Sequence, residues 1–187
     1  MIVEGAIIAG AAAATLVTSL AAGKALSVKV EPFTALVVER SFGLEPKAHM
    51  KGTALVFPRS ATQVVALTPR TLEWGTPEGG ELVIADGSRL ALMLRLWFQV
   101  RASAQHVVLA WQTLGARLDP GAAAELHAYL AAQVATAAAE VTRSWSADRI
   151  PTSARFRNDF LERLDWTFRD MGLAASEIEV LRLEVTS

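Results

Sequence analysis

Histidine is the side chain best suited to proton transfer near neutral pH, and this chain has three: His49, His106 and His127. None has a partner at a useful spacing. His127 follows Glu125 by two residues, an interval that points the pair in different directions on a helix, and no His-Glu-x-x-His arrangement exists to hold zinc. Asp119, Glu125 and Glu140 do not form a paired-carboxylate signature. No serine occupies a Gly-x-Ser-x-Gly elbow. Gly79-Gly80 is not followed by the Gly-Lys-Ser/Thr of a phosphate-cradling loop. The absence of cysteine excludes disulfides, thiolate metal sites and a cysteine nucleophile. The residue chemistry therefore reads as that of a protein that is not an enzyme and holds no cofactor or metal.

What remains is interaction chemistry. The formal net charge is −1 and basic residues are interleaved with acidic ones, so no electrostatic footprint for nucleic acid exists. Exposed tryptophan beside arginine often marks a protein interface. Arg95, Trp97 and Trp166 are the candidates here, as contacts between protomers or as ordinary packing under a helix. Trp74, beside a Gly/Pro-rich loop, is open to a different role at a membrane–water boundary, where tryptophan is enriched.

These side chains need elements to position them. Between Leu26 and Arg70, β-rich runs such as 34–39 and 53–57, with a further candidate at 63–67, are broken by Pro32, Gly43, Pro46, Gly52 and Pro58. The segment 75–80 is a loop by composition. From Arg89 to Arg101 the alternation is strict. Leu90, Leu92, Leu94, Leu96, Phe98 and Val100 face one way, and Arg89, Met93, Arg95, Trp97, Gln99 and Arg101 face the other. Asp86-Gly87 suits a tight turn into this strand from a partner at 81–85.

After Arg101 the period becomes helical. Ser103 can cap a helix running to Leu114, and Asp119-Pro120 reads as the next helix start. Leu126, Leu130, Val134, Ala138 and Val141 make its apolar stripe. Thr152 or Ser153 restarts a helix after Ile150-Pro151. Phe156, Phe160, Leu164, Phe168 and Met171 form its buried face, with Arg157, Asp159, Glu162, Arg163 and Asp165 toward water, and Gly172 fits its end. Residues 176–185 return to strand character. A β-rich half, then helices, then a final strand is an α+β order.

The N-terminus differs from all of this. Gly5 to Gly23 carries no charge and is bracketed by Glu4 and Lys24. As a helix it would reach roughly 28 Å, near the hydrocarbon thickness of a bilayer. Its large apolar residues, Ile7, Ile8, Leu16, Val17 and Leu20, supply only roughly −2 to −3 kcal/mol toward insertion. Ala6, Gly10, Ala14 and Thr18 recur every four residues, a smooth stripe on which two helices can approach. Residues 1–24 are thus read as a single-pass or membrane-embedded anchor, and residues 25–187 as the domain it tethers. The alternatives are a cleaved signal peptide, which Met1–Glu4 disfavours by lacking positive charge, and a buried core helix. Lys24 and Lys29 after the apolar stretch place the domain on the cytoplasmic side by the positive-inside rule.

Taken in order, these motifs resemble the SPFH or band 7 family, which includes stomatins, prohibitins and flotillins. An N-terminal membrane segment precedes Val37-Val-Glu-Arg-Ser-Phe-Gly43, which stands where the family has a Val-x-Glu-Arg-x-Phe-Gly-like sequence, with one extra residue. Gly52 to Pro58 answers to a Pro-Gly…Pro segment. Ile84-Ala-Asp-Gly-Ser-Arg-Leu-Ala-Leu-Met-Leu-Arg95 matches the family's Asp-Gly turn and long alternating strand. Arg143, the helix from Phe156 to Phe168, and 172–185 take the places of its later helices and final strand. The resemblance implies an SPFH-like α+β domain in a homo-oligomer, or a hetero-oligomer with related chains. It also implies partnership with membrane lipid and with a membrane protein such as a protease. Members usually continue into a long coiled-coil helix, whereas this sequence ends at Ser187, as a minimal member or a truncated piece would. The alternative function is a secreted or periplasmic soluble binding domain behind a cleaved signal peptide.

Overall fold

The computed structural model describes residues 26–39, 44–57, 60–76, 82–146, 149–150 and 154–186. The anchor residues Ile7, Ile8, Leu16, Val17 and Leu20, the end of the Val37–Gly43 motif, Gly79-Gly80 and the helix start at Thr152 or Ser153 lie outside them. Among the described residues no helix is long and apolar enough to cross a membrane.

Eight strands come first: β1 (Leu26–Lys29), β2 (Thr34–Val38), β3 (Lys47–His49), β4 (Thr53–Val56), β5 (Thr62–Ala66), β6 (Arg70–Gly75), β7 (Leu82–Val83) and β8 (Arg89–Val100). Helices α1 (Ala104–Leu114), α2 (Ala123–Thr142) and α3 (Ala154–Arg169) follow, and β9 (Leu173–Thr186) closes the order. Strands and helices are segregated along the chain, and the protein is α+β. Residues 25–187, read as one domain in the sequence, divide into two compact units. One comprises Met1–Leu67 and Ala102–Ala122, the other Thr68–Arg101 and Ala123–Ser187.

In the first unit β2 is the centre of an antiparallel sheet, β3-β2-β5, and β1 pairs with β4 as a separate ribbon. The apolar run Ala35–Val38 is buried throughout, so β2 lacks the alternation of a half-wet strand. Val30, Leu36, Val38, Ala54 and Val56 make one core cluster, with Val28 packed on it. Helix α1 lies against β2 and β3 and buries Val107, Ala110 and Leu114. Its cap is the expected one, since Ser103 Oγ accepts the His106 N–H. The next helix start differs from expectation. Pro120 opens only a 3-10 turn, Pro120–Ala122, and the α-helix begins at Ala123. The Asp119 carboxylate expected to cap it accepts Gln63 Nε2 at 2.7 Å, and Gly121 is a weak helix former at the position where α-helix would have to begin.

The second unit is built on β8, which pairs with β6 and β7 along one edge and with β9 along the other, all antiparallel. The expected alternation holds: Leu90, Leu92, Leu94, Leu96, Phe98 and Val100 are all buried. So are Leu126, Leu130, Val134, Ala138 and Val141 on α2, and Phe156, Phe160, Leu164 and Phe168 on α3. Phe98 meets Phe168 edge to face, with centroids 6.1 Å apart, which places α3 over the leucine face of the sheet. Each such buried Val, Leu or Phe side chain contributes about 1.5–3 kcal/mol relative to an exposed one. Gly172, at φ 71°, ends the α3 region and turns the chain into β9. Two register shifts interrupt the β8–β9 ladder, beside Met93/Leu94 and Trp97/Phe98.

Candidate functional site

Arg95 and Trp97 are brought together, as alternation requires, on the face of β8 that α3 does not cover. Glu73 on β6 and Glu179 on β9 lie directly across from Arg95 on either side. Arg95 Nε and Nη2 donate to Glu73 Oε1 at 3.0 and 2.7 Å, and Nη1 donates to Glu179 Oε2 at 3.1 Å. The hydrogen bonding of Arg95 to the Glu73 carboxylate heads the causes that raise the Arg95 pKa above its ordinary value. Three strands are thus stitched across their solvent face by one guanidinium, whose carbon also lies 6.0 Å from the Trp97 ring centroid. Much of Arg95's hydrogen-bonding capacity is committed within its own sheet, so a partner would meet a Glu-Arg-Glu cluster rather than an open cation. Trp97 is half-buried.

Trp166 is not part of that surface. It projects from α3, which covers the opposite face of the sheet, and is 57% exposed. Arg169 lies over its ring at 5.4 Å. Beside it, between α2 and α3, is a shallow groove of about 330 Å3 lined by Glu140, Ser144, Asp159, Glu162, Arg163 and Trp166, with Val141 at its floor. Arg163 and Glu140 form an ion pair between the two helices. A second groove, of about 650 Å3, runs where β9 meets the start of α3 and includes Trp97, Phe156, Arg157, Glu177, Ile178 and Glu179. Both linings are mixtures of apolar and charged side chains.

Trp74 is 8% exposed and belongs to the core. It stands two residues after Leu72 on the inward face of β6, so its expected role at a membrane–water boundary is withdrawn. Asp165, expected to face water, is instead half-buried and accepts Arg101 Nη2 at 2.7 and 2.8 Å. Arg70, partly buried on β6, has its pKa lowered by desolvation. The three histidines stay apart, on β3, α1 and α2, and His106 is engaged with Ser103 Oγ at 2.6 Å. Among the described residues no group of three His, Asp or Glu side chains converges as metal ligands would.

The first unit adds a surface that the sequence reading did not single out. Leu55 and Phe57 project from the outer side of the β1–β4 ribbon and are 61% and 60% exposed. Phe33, in the turn between β1 and β2, is 77% exposed and has a positive φ of 58°. A signal was present in that alternation along 54–57 puts Ala54 and Val56 on one side and Leu55 and Phe57 on the other. Compared with known proteins, the chain matches no family model and no curated sequence.

Proposed function

We propose that this protein is a membrane-anchored scaffold of the SPFH or band 7 type. Its copies would assemble side by side at the membrane surface, organising lipid or regulating a neighbouring membrane protein such as a protease. The observation that carries the reading is the succession of elements after residue 84. The Asp86-Gly87 turn, the 12-residue β8, the three helices, of which α2 and α3 take the places of the family's later helices, Gly172 and the 14-residue β9 follow the order that the resemblance implies.

Membrane proximity draws support from the ribbon. Leu26, which opens β1, comes two residues after the apolar segment's flanking Lys24 and pairs with Val56. Its neighbours across the ribbon, Leu55 and Phe57, are the exposed apolar ones. Sinking such side chains into an apolar boundary gains about 1.5–3 kcal/mol each, which would reinforce a marginal anchor. Many such weak attachments held in register bind far better than one. In this reading the domain lies on the cytoplasmic side and contacts lipid.

The test is fractionation of native membranes, followed by intact-mass measurement. A full-length chain retained after carbonate washing is expected. A chain cleaved near Gly23 and found in the soluble fraction would overturn the anchor and favour a secreted binding domain.

A further inference from the structure

The charges in the first turn of α3 are arranged against the helix's own electrostatics. Its first turn holds no acidic residue but carries Arg155 and Arg157, both exposed. Cations at a helix N-terminus oppose the macrodipole, which favours acids there and bases at the C-terminus. Neither arginine forms an ion pair with any described residue. One to two turns on, Asp159 and Glu162 line the Trp166 groove and are likewise without an ion pair among the described residues. Arg163, the groove's own cation, is taken by Glu140, so the groove is left acidic. Asp159 stands one turn after Arg155 without forming an ion pair with it, and Glu162 lies about 10 Å from Arg155 along the helix.

We infer that the basic first turn of α3 in one copy docks into the acidic Trp166 groove of a second copy. The inference rests on the scaffold reading and names its contact. The two patches are complementary in charge and adjoin along one helix, so two copies can meet about a twofold axis, each first turn in the other's groove, or head to tail. The head-to-tail form leaves a free patch at each end and repeats into a ring or an open array. Trp166, 57% exposed at the groove, is the apolar anchor that the partner's arginine stems cover. Tryptophan and arginine are the residue types that most often carry binding energy at interfaces. Arg155 and Arg157 supply the donors that Asp159 and Glu162 accept.

The test uses the full chain solubilised from membranes, with mass read by light scattering after size exclusion. Arg155→Glu with Arg157→Glu, and separately Asp159→Lys with Glu162→Lys, should each weaken association at least tenfold. All four positions are solvent-accessible, so a cooperative melt will show that each variant is folded, the Glu variant at or above the wild-type temperature because it removes cations from the helix N-terminus. Mixing the two variants should restore the wild-type mass, since each then offers the other a patch of opposite sign. An unchanged mass in either variant, or a loss that mixing does not repair, overturns the contact. If the wild type assembles but ignores these charges, the contact alone falls. If the wild type is monomeric in its membrane, the scaffold reading falls with it.

Discussion

Arg101 ties three elements together with one side chain. It leaves the end of β8, donates from Nε to the Leu173 carbonyl at 2.8 Å, and donates from Nη2 to both oxygens of Asp165 on α3. The two side chains are 28% and 25% exposed, dry enough for charge-assisted hydrogen bonds to count, at about 1.5–3 kcal/mol. Arg101→Ala is expected to lower the unfolding free energy by about 2 kcal/mol in a urea titration, discounted for remaining solvent screening. Arg101→Lys should recover little of it, because a point charge does not reproduce the planar fork; full recovery by lysine would reduce the pair to simple charge attraction. The tryptophans give a second contrast. Trp74→Ala should cost about 3–5 kcal/mol as a core truncation, whereas Trp166→Ala should shift the same titration by less than about 1 kcal/mol, the scale of an exposed cation–π contact. Equal losses would place Trp166 in the core. The position of Trp166 was legible, since Phe156, Phe160, Leu164 and Phe168 set a helical stripe from which it departs. The Arg101–Asp165 pair was not. Its members are 64 residues apart, and Asp165 sits where an amphipathic helix normally meets water.

At the scale of elements, the β1–β2 turn stores strain. Pro32 and Phe33 occupy its central positions, and the Thr34 N–H donates to the Glu31 carbonyl at 3.3 Å. A positive φ at the second central position is suited to glycine, yet Phe33 takes it at φ 58°. The left-handed conformation costs a residue with a side chain roughly 1–2 kcal/mol, and at 77% exposure little burial within the fold offsets it. Phe33→Gly is therefore expected to stabilise the protein by about 1 kcal/mol, raising the melting temperature by about 2–4 °C. A lower melting temperature would mean that packing of the Phe33 ring outweighs the strain. The strands themselves differ in how plainly the sequence announced them. β8 alternates without a break and was readable residue by residue. β9 alternates in two frames: Ile178 and Val180 pair with Leu96 and Leu94, while Leu183 and Val185 pair with Leu92 and Leu90. The shift at Leu181 and Arg182 lets both frames face inward, and a strict period-two reading loses the strand at that point. The three-residue β3 and the β1–β4 pairing depend on partners distant in sequence, which local periodicity does not encode.

Across the whole molecule the chain passes from one compact unit to the other and back, leaving the first at Leu67, returning at Ala102 and departing again after Ala122. No long Pro-, Gly- or Ser-rich linker marks these crossings; one domain was the natural reading of such a sequence. The feature that composition does mark is the uncharged Gly5–Gly23 stretch, and in the proposed scaffold attachment would depend on a small balance there. Its five large apolar residues contribute roughly −2 to −3 kcal/mol, and an aspartate at the centre of a spanning helix costs about 2.5–3.5 kcal/mol on the same scale. Leu16→Asp removes one favourable residue and adds that cost, so insertion should fail, and the variant is expected to leave the carbonate-washed membrane fraction. Leu16→Phe, which keeps the residue apolar, should stay. If this stretch is the anchor, its marginal balance makes retention depend on assembly as well. The Arg155→Glu with Arg157→Glu variant, its anchor intact, should wash off at lower carbonate exposure than the wild type. Leu16→Asp retained in the pellet would show that something other than this segment holds the protein to the bilayer, with Leu55 and Phe57 the next residues to change.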